Sequence, residues 1–152
     1  MRLCNKQSGF TLIELIVTIA ILAVFAGIAV PNFLSYMPKS RLNGAARQVM
    51  GDLMAARMRA VKENSTATVT YLSNHEYKIS TVSEEKTVNI WPNYHDVTIG
   101  SVSGGSFSSN SFSNISFLSR GTSNTGSVGL TNSTNSKKVS VTITGRVKIT
   151  HL

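Results

Sequence analysis

The chain has 152 residues, room for one modest domain and one long helix, with 15 Lys and Arg against 7 Asp and Glu for a formal charge of +8. That excess favours anionic partners (nucleic acid, anionic lipid or acidic protein surface), at even weight with no polyanion partner at all. The single cysteine, Cys4, excludes a disulfide framework, a CxxC redox pair and a thiolate metal site.

Residues 1–9, MRLCNKQSG, are polar, with Arg2 and Lys6 as positive charges and no acid. The apolar run 10–30, FTLIELIVTIAILAVFAGIAV, follows at once. As a helix it is about 30 Å long, the thickness of a bilayer core. A secretory signal places its small-residue cleavage site after a shorter apolar core. Here Gly9 precedes the run, so cleavage after Gly9 keeps the helix on the mature protein and removes Cys4. Positive charge lies before the run and none close behind until Lys39, which sets the N-terminus in the cytoplasm and the bulk outside the inner membrane.

Glu14 breaks the apolar pattern, at a cost of about 2.5–3.5 kcal/mol on insertion scales. Two readings stand at equal weight. Its side chain snorkels to the headgroups, or it pairs with a positive group of another subunit, such as a freed α-amino group on Phe10.

Pro31 and Pro38 predict a disturbance in a helix running over roughly 11–63. Beyond them Leu42, Ala45, Ala46, Val49, Leu53, Met54, Met58 and Val61 recur at three- and four-residue intervals, the packing face of an amphipathic helix. Arg41, Arg47, Arg57, Arg59 and Lys62 fall on the polar side.

After residue 65 the period changes to two. Segments 66–72 and 77–82 predict a hairpin, and further strands are expected at 87–91, 97–102, 115–118, 127–130, 138–144 and 146–150, with Gly145 as a tight turn. The serine- and glycine-rich stretch 103–113 reads as a flexible loop, for display or for solubility. The expected fold class is α+β, a long N-terminal α-helix packed on an antiparallel β-sheet domain. Its divisions are a leader at 1–9, a transmembrane helix at 10–30, the amphipathic half of the helix at 31–64 and a periplasmic β domain at 65–152.

The segment Ser8-Gly9-Phe10-Thr11-Leu12-Ile13-Glu14-Leu15 resembles the prepilin-peptidase motif of type IV pilins at every position. The resemblance implies cleavage after Gly9, methylation of Phe10 and a subunit-assembly role for Glu14. It also implies the pilin fold, with prepilin peptidase, inner-membrane lipid and other pilin or pseudopilin subunits as partners. Three later stretches are similar to the GspH/FimT group of minor pilins and pseudopilins. They are the helix end DLMAARMRAVKEN at 52–64, FLSRG at 117–121 and TGRVKI at 144–149.

No nucleophile elbow, Walker loop, HExxH or dinucleotide fingerprint is present, so neither enzyme chemistry nor a cofactor is expected. His75, His95 and His151 are isolated in sequence and read as surface residues, with no metal site. Three functions follow. The first is a non-catalytic minor pilin that assembles into or primes a type IV pilus. The second is a DNA-binding pilin for natural transformation, since the group's basic GRxR motif is matched here by Gly145-Arg146-Val147-Lys148. Lys137, Lys138 and Arg120 would widen that patch toward double-stranded DNA, without sequence specificity. The third is a type II secretion pseudopilin acting in protein export.

Overall fold

The computed structural model describes residues 10–103, 106–108 and 114–152. The 1–9 leader, with Gly9 and Cys4, and much of the 103–113 loop lie outside the described residues. One helix, α1 (Leu12–Lys62), crosses both compact units of the chain, Met1–Tyr36 and Met37–Leu152. The helical assignment continues through Pro31 and Pro38, where the sequence predicted a disturbance.

In the first unit α1 is predominantly apolar and its large apolar side chains are exposed, from 48% for Ile16 to 76% for Leu12. It is long and apolar enough to cross a membrane.

In the second unit α1 buries Leu42, Ala45, Ala46, Val49, Leu53, Ala56 and Ala60. The first five of these were expected. Met54, Met58 and Val61 were also placed on that face by their spacing, but they are exposed at 40%, 69% and 50%. The small Ala56 and Ala60 are fully buried instead.

Among the described residues nine strands form the expected antiparallel β domain, divided between two sheets. The first, ordered β3-β2-β1-β6, contains β1 (Ala67–Ser73), β2 (Glu76–Ser80), β3 (Glu85–Asn89) and β6 (Ile115–Phe117). The second, ordered β5-β4-β7-β8-β9, contains β4 (Thr98–Ser103), β5 (Ser106–Ser108), β7 (Gly126–Thr131), β8 (Ser136–Val141) and β9 (Val147–His151). Alternation predicts strands but is silent on which edges pair. Here β6 returns to β1 and β7 to β4, dividing the strands between two sheets. The β1–β2 turn joins them: the Ile90 amide donates to the His75 carbonyl at 2.9 Å and the Ile99 amide to the Asn74 carbonyl at 2.7 Å.

Strand β5 lies inside the stretch read as a loop. Its Phe107 ring covers the cross-strand pair Gly100–Gly129. A Cβ on Gly100 would come within 2.6 Å of that ring, and one on Gly129 within 2.8 Å. An aromatic over paired glycines restores apolar contact that the sheet otherwise lacks.

Candidate functional site

Thr11 caps α1. Its hydroxyl accepts a hydrogen bond from the Glu14 amide at 3.3 Å, the bond of a helix N-cap. Glu14 therefore stands in the first helical turn, where its negative charge meets the positive end of the helix dipole. The Thr18 hydroxyl donates to the carbonyls of Leu15 at 2.8 Å and Glu14 at 3.0 Å, which satisfies it inside an apolar segment. Phe10 is exposed just ahead of the helix.

At the far end of α1 the three similar stretches meet. Arg57, expected on the solvated side, is half-buried. Its Nε donates to the Gly121 carbonyl at 2.8 Å, and a terminal nitrogen donates to the Thr144 carbonyl at 3.4 Å. Gly121 and Gly145 both have positive φ, +77° and +74°. The Gly145 backbone approaches so closely that a Cβ there would lie 2.0 Å from the Gly121 carbonyl oxygen. One guanidinium thus joins the helix to the turn after β6 and the turn between β8 and β9. Ser123 completes the junction, its amide donating to Ile143 O at 3.0 Å and its hydroxyl to Thr142 O at 2.9 Å.

Asp52, four residues before Ala56 on the same helix, accepts a hydrogen bond from the buried Tyr77 hydroxyl. Burial, then this bond, pushes the Tyr77 phenol well above its ordinary value. Nearer the helix end, the Ser83 hydroxyl donates to Glu63 at 2.5 Å and Arg59 pairs with Glu84. The Ser83 bond lowers the Glu63 carboxyl below the usual carboxylate range.

The basic residues singled out from sequence divide between two faces. The β8–β9 register sets Lys138 opposite Thr150 and Ser140 opposite Lys148. Lys138 and Lys148 are therefore diagonal neighbours on the outer face, opposite to Val139, Val141 and Val147 in the core. Arg146, exposed in the turn before β9, precedes Lys148 by two positions. Arg120 is exposed in the turn that Arg57 binds. Lys137 points the other way, directly opposite His151 on the face shared with Val139. The register brings Lys138 and Lys148 together on one face, with Arg146 just ahead of β9, and separates Lys137 from them.

Two histidines isolated in sequence gather around one aromatic. His75 and His95 meet Trp91 edge-on, with ring centroids 4.6 Å and 6.5 Å away, and Arg41 lies 3.0 Å from His95 Nε2. Among the described residues no group of three or more His, Cys, Asp or Glu could hold a metal ion.

The prokaryotic N-terminal methylation motif matches residues 4–30, and the family described as type II transport protein GspH matches residues 45–145. Fimbrial protein Q of Moraxella bovis is 43% identical over 53 residues, covering 35% of this chain and 31% of its own length. Fimbrial protein EcpB of Eikenella corrodens is 50% identical over 38 residues, 25% of this chain and 24% of its own. The chain thus matches less than a third of the length of these relatives. The crystal structure of the type IV minor pilin FimU of Pseudomonas aeruginosa superposes with a TM-score of 0.56 at 13% identity, covering 76% of this chain and 92% of that one. The minor pseudopilin EpsH of Vibrio cholerae gives 0.54 at 8% identity, covering 73% and 97%. These two share the fold.

Proposed function

Because the chain belongs to the GspH family of type IV pilin-like proteins, we propose that it is a minor pilin that assembles with other pilin subunits into a type IV pilus or primes one. Family membership implies assembly with pilin subunits, and pilin and pseudopilin families are structural rather than catalytic. The observation that carries the proposal is the methylation motif heading an apolar helix whose side chains stay exposed through Tyr36. Such a surface is matched to lipid first and to neighbouring helices afterwards.

In this reading prepilin peptidase cuts after Gly9 and Phe10 becomes the methylated N-terminus. The chain waits in the inner membrane with its β domain in the periplasm. Glu14 enters the filament paired with a positive group of a neighbour, since a carboxylate in a helix bundle needs a partner. The test is a strain whose own copy is deleted and replaced by variants. Gly9→Val is expected to leave full-length precursor. Glu14→Leu is expected to be processed and membrane-bound yet missing from sheared filaments. Normal incorporation of Glu14→Leu would sink the assembly role of that residue.

A second reading, DNA binding for uptake, is favoured by Lys148 and Lys138 on one outer strand face, with the exposed Arg146 just ahead of β9. It is compatible with filament membership. A third, a pseudopilin of type II secretion, draws on the same fold and motif, and loss of protein export rather than of pili in the deletion strain would select it.

A further inference from the structure

Of the 7 acidic residues, Glu14 lies in the apolar helix. Each of the others has a partner. Asp52 binds Tyr77, Glu63 binds Ser83 and Glu76 binds Asn89. Glu84 pairs with Arg59, Glu85 with Lys78 and Asp96 with Arg41. These contacts leave three basic groups to share a crevice of about 140 Å³ with no acid on its walls. Its lining is Lys39, Leu42 and Asn43 from α1, Asn135 and Lys137 at β8, and His151 from β9.

The walls are fixed. Asn132 Nδ2 donates to the Pro38 carbonyl at 2.8 Å, which holds the β7–β8 turn against α1 beside Lys39. The Asn132 side-chain oxygen accepts from the amides of Thr134 and Asn135 at 3.1 Å and 2.9 Å. Lys137 stands directly opposite His151.

We propose that this crevice binds the phosphate of an anionic membrane lipid. Two lysines, a histidine and two asparagines from α1, β8 with its preceding turn, and β9 line a space that admits a headgroup phosphate but not a duplex. Lys39 follows Tyr36, the last aromatic of the exposed apolar stretch, by three positions, which suits a group at headgroup level. The inference rests on the membrane-anchored reading above.

The test uses the full chain in non-ionic detergent with phosphatidylglycerol or phosphatidylcholine, retained lipid being counted by native mass spectrometry. One phosphatidylglycerol is expected to be retained, weakened about fivefold for each lysine removed in Lys39→Gln and Lys137→Gln. Lys138→Gln, on the opposite face of β8, is expected to bind as the parent does. Unchanged retention in the double variant, or equal loss in Lys138→Gln, would overturn the site. Displacement of lipid by millimolar inorganic phosphate would assign it to the free anion. Displacement by a DNA duplex, dependent on Lys39 and Lys137, would assign it to nucleic acid. A chain that fails to float with liposomes refutes the membrane reading itself, whereas flotation without phosphatidylglycerol retention refutes this inference alone.

Discussion

Gly145 illustrates how one backbone position holds several elements. Its φ of +74° is open to glycine at little cost, and the Gly121 carbonyl and the Arg57 side chain fill the space a Cβ would take. Gly145→Ala is expected to cost about 2–3 kcal/mol, strain and displacement together, read by thermal unfolding in detergent. A stability equal to the parent would mean that the turn can move away from Gly121. Arg57 adds the polar half of the junction. Arg57→Met leaves the Gly121 carbonyl without its donor and is expected to cost about 1–3 kcal/mol in the same assay. Helical spacing does not distinguish Arg57 from Arg47 or Arg59, although the similar stretch at 52–64 includes Arg57. All three sit on a basic helix surface, and only the return of two distant turns distinguishes the one that is half-buried.

Among elements, α1 carries the sharpest test. Its spacing admits a face with Met54, Met58 and Val61, whereas Ala56 and Ala60 are the fully buried positions. Ala60→Leu is therefore expected to overpack the core at about 1–3 kcal/mol, while Met58→Ala stays within about 0.5 kcal/mol, by denaturant titration. The reverse order would restore the face that spacing alone suggests.

The β2–β3 hairpin gives a pH test. A hydrogen bond from Lys78, then one from Ser80, lowers the Glu85 carboxyl, as the Ser83 hydroxyl lowers Glu63. A carboxylate whose folded pKa is depressed stabilises the fold above its unfolded pKa and loses that contribution as pH falls through the folded value. Stability is thus expected to hold from neutral pH down to the ordinary carboxylate range near 4.5 and to decline below it. Glu85→Gln together with Glu63→Gln should flatten the decline in melts recorded against pH. Both groups are at the surface, so the effect is small and shrinks with salt.

For the whole molecule, the charge of +8 says that anions are attracted and leaves open where they land. The two faces of β8 separate the candidates. Should the outer face bind duplex DNA, Arg146→Ala with Lys148→Ala is expected to reduce the slope of log affinity against log salt by about 2. Lys137→Gln, on the opposite face, is expected to leave that slope unchanged in fluorescence anisotropy. A loss on Lys137→Gln equal to that of the double variant would mean that net charge, not the outer face, governs binding.

The apolar run, the change of period from helix to strand and the Gly145 turn were legible in the chain itself. Each is a local signal, set within a few residues by hydropathy or backbone freedom. The similar stretches at 52–64, 117–121 and 144–149 could be read off individually as well, but not that they converge on one guanidinium. Strand β5 was missed because serine and glycine dominate the 103–113 stretch around it, and Phe107 has a role only against the distant Gly100–Gly129 pair. The division into two sheets, the burial of Ala56 and Ala60, and the separation of Lys137 from Lys138 were likewise decided by tertiary structure. All depend on which strand edges pair and on where the helix is covered, and those are relations between residues far apart along the chain.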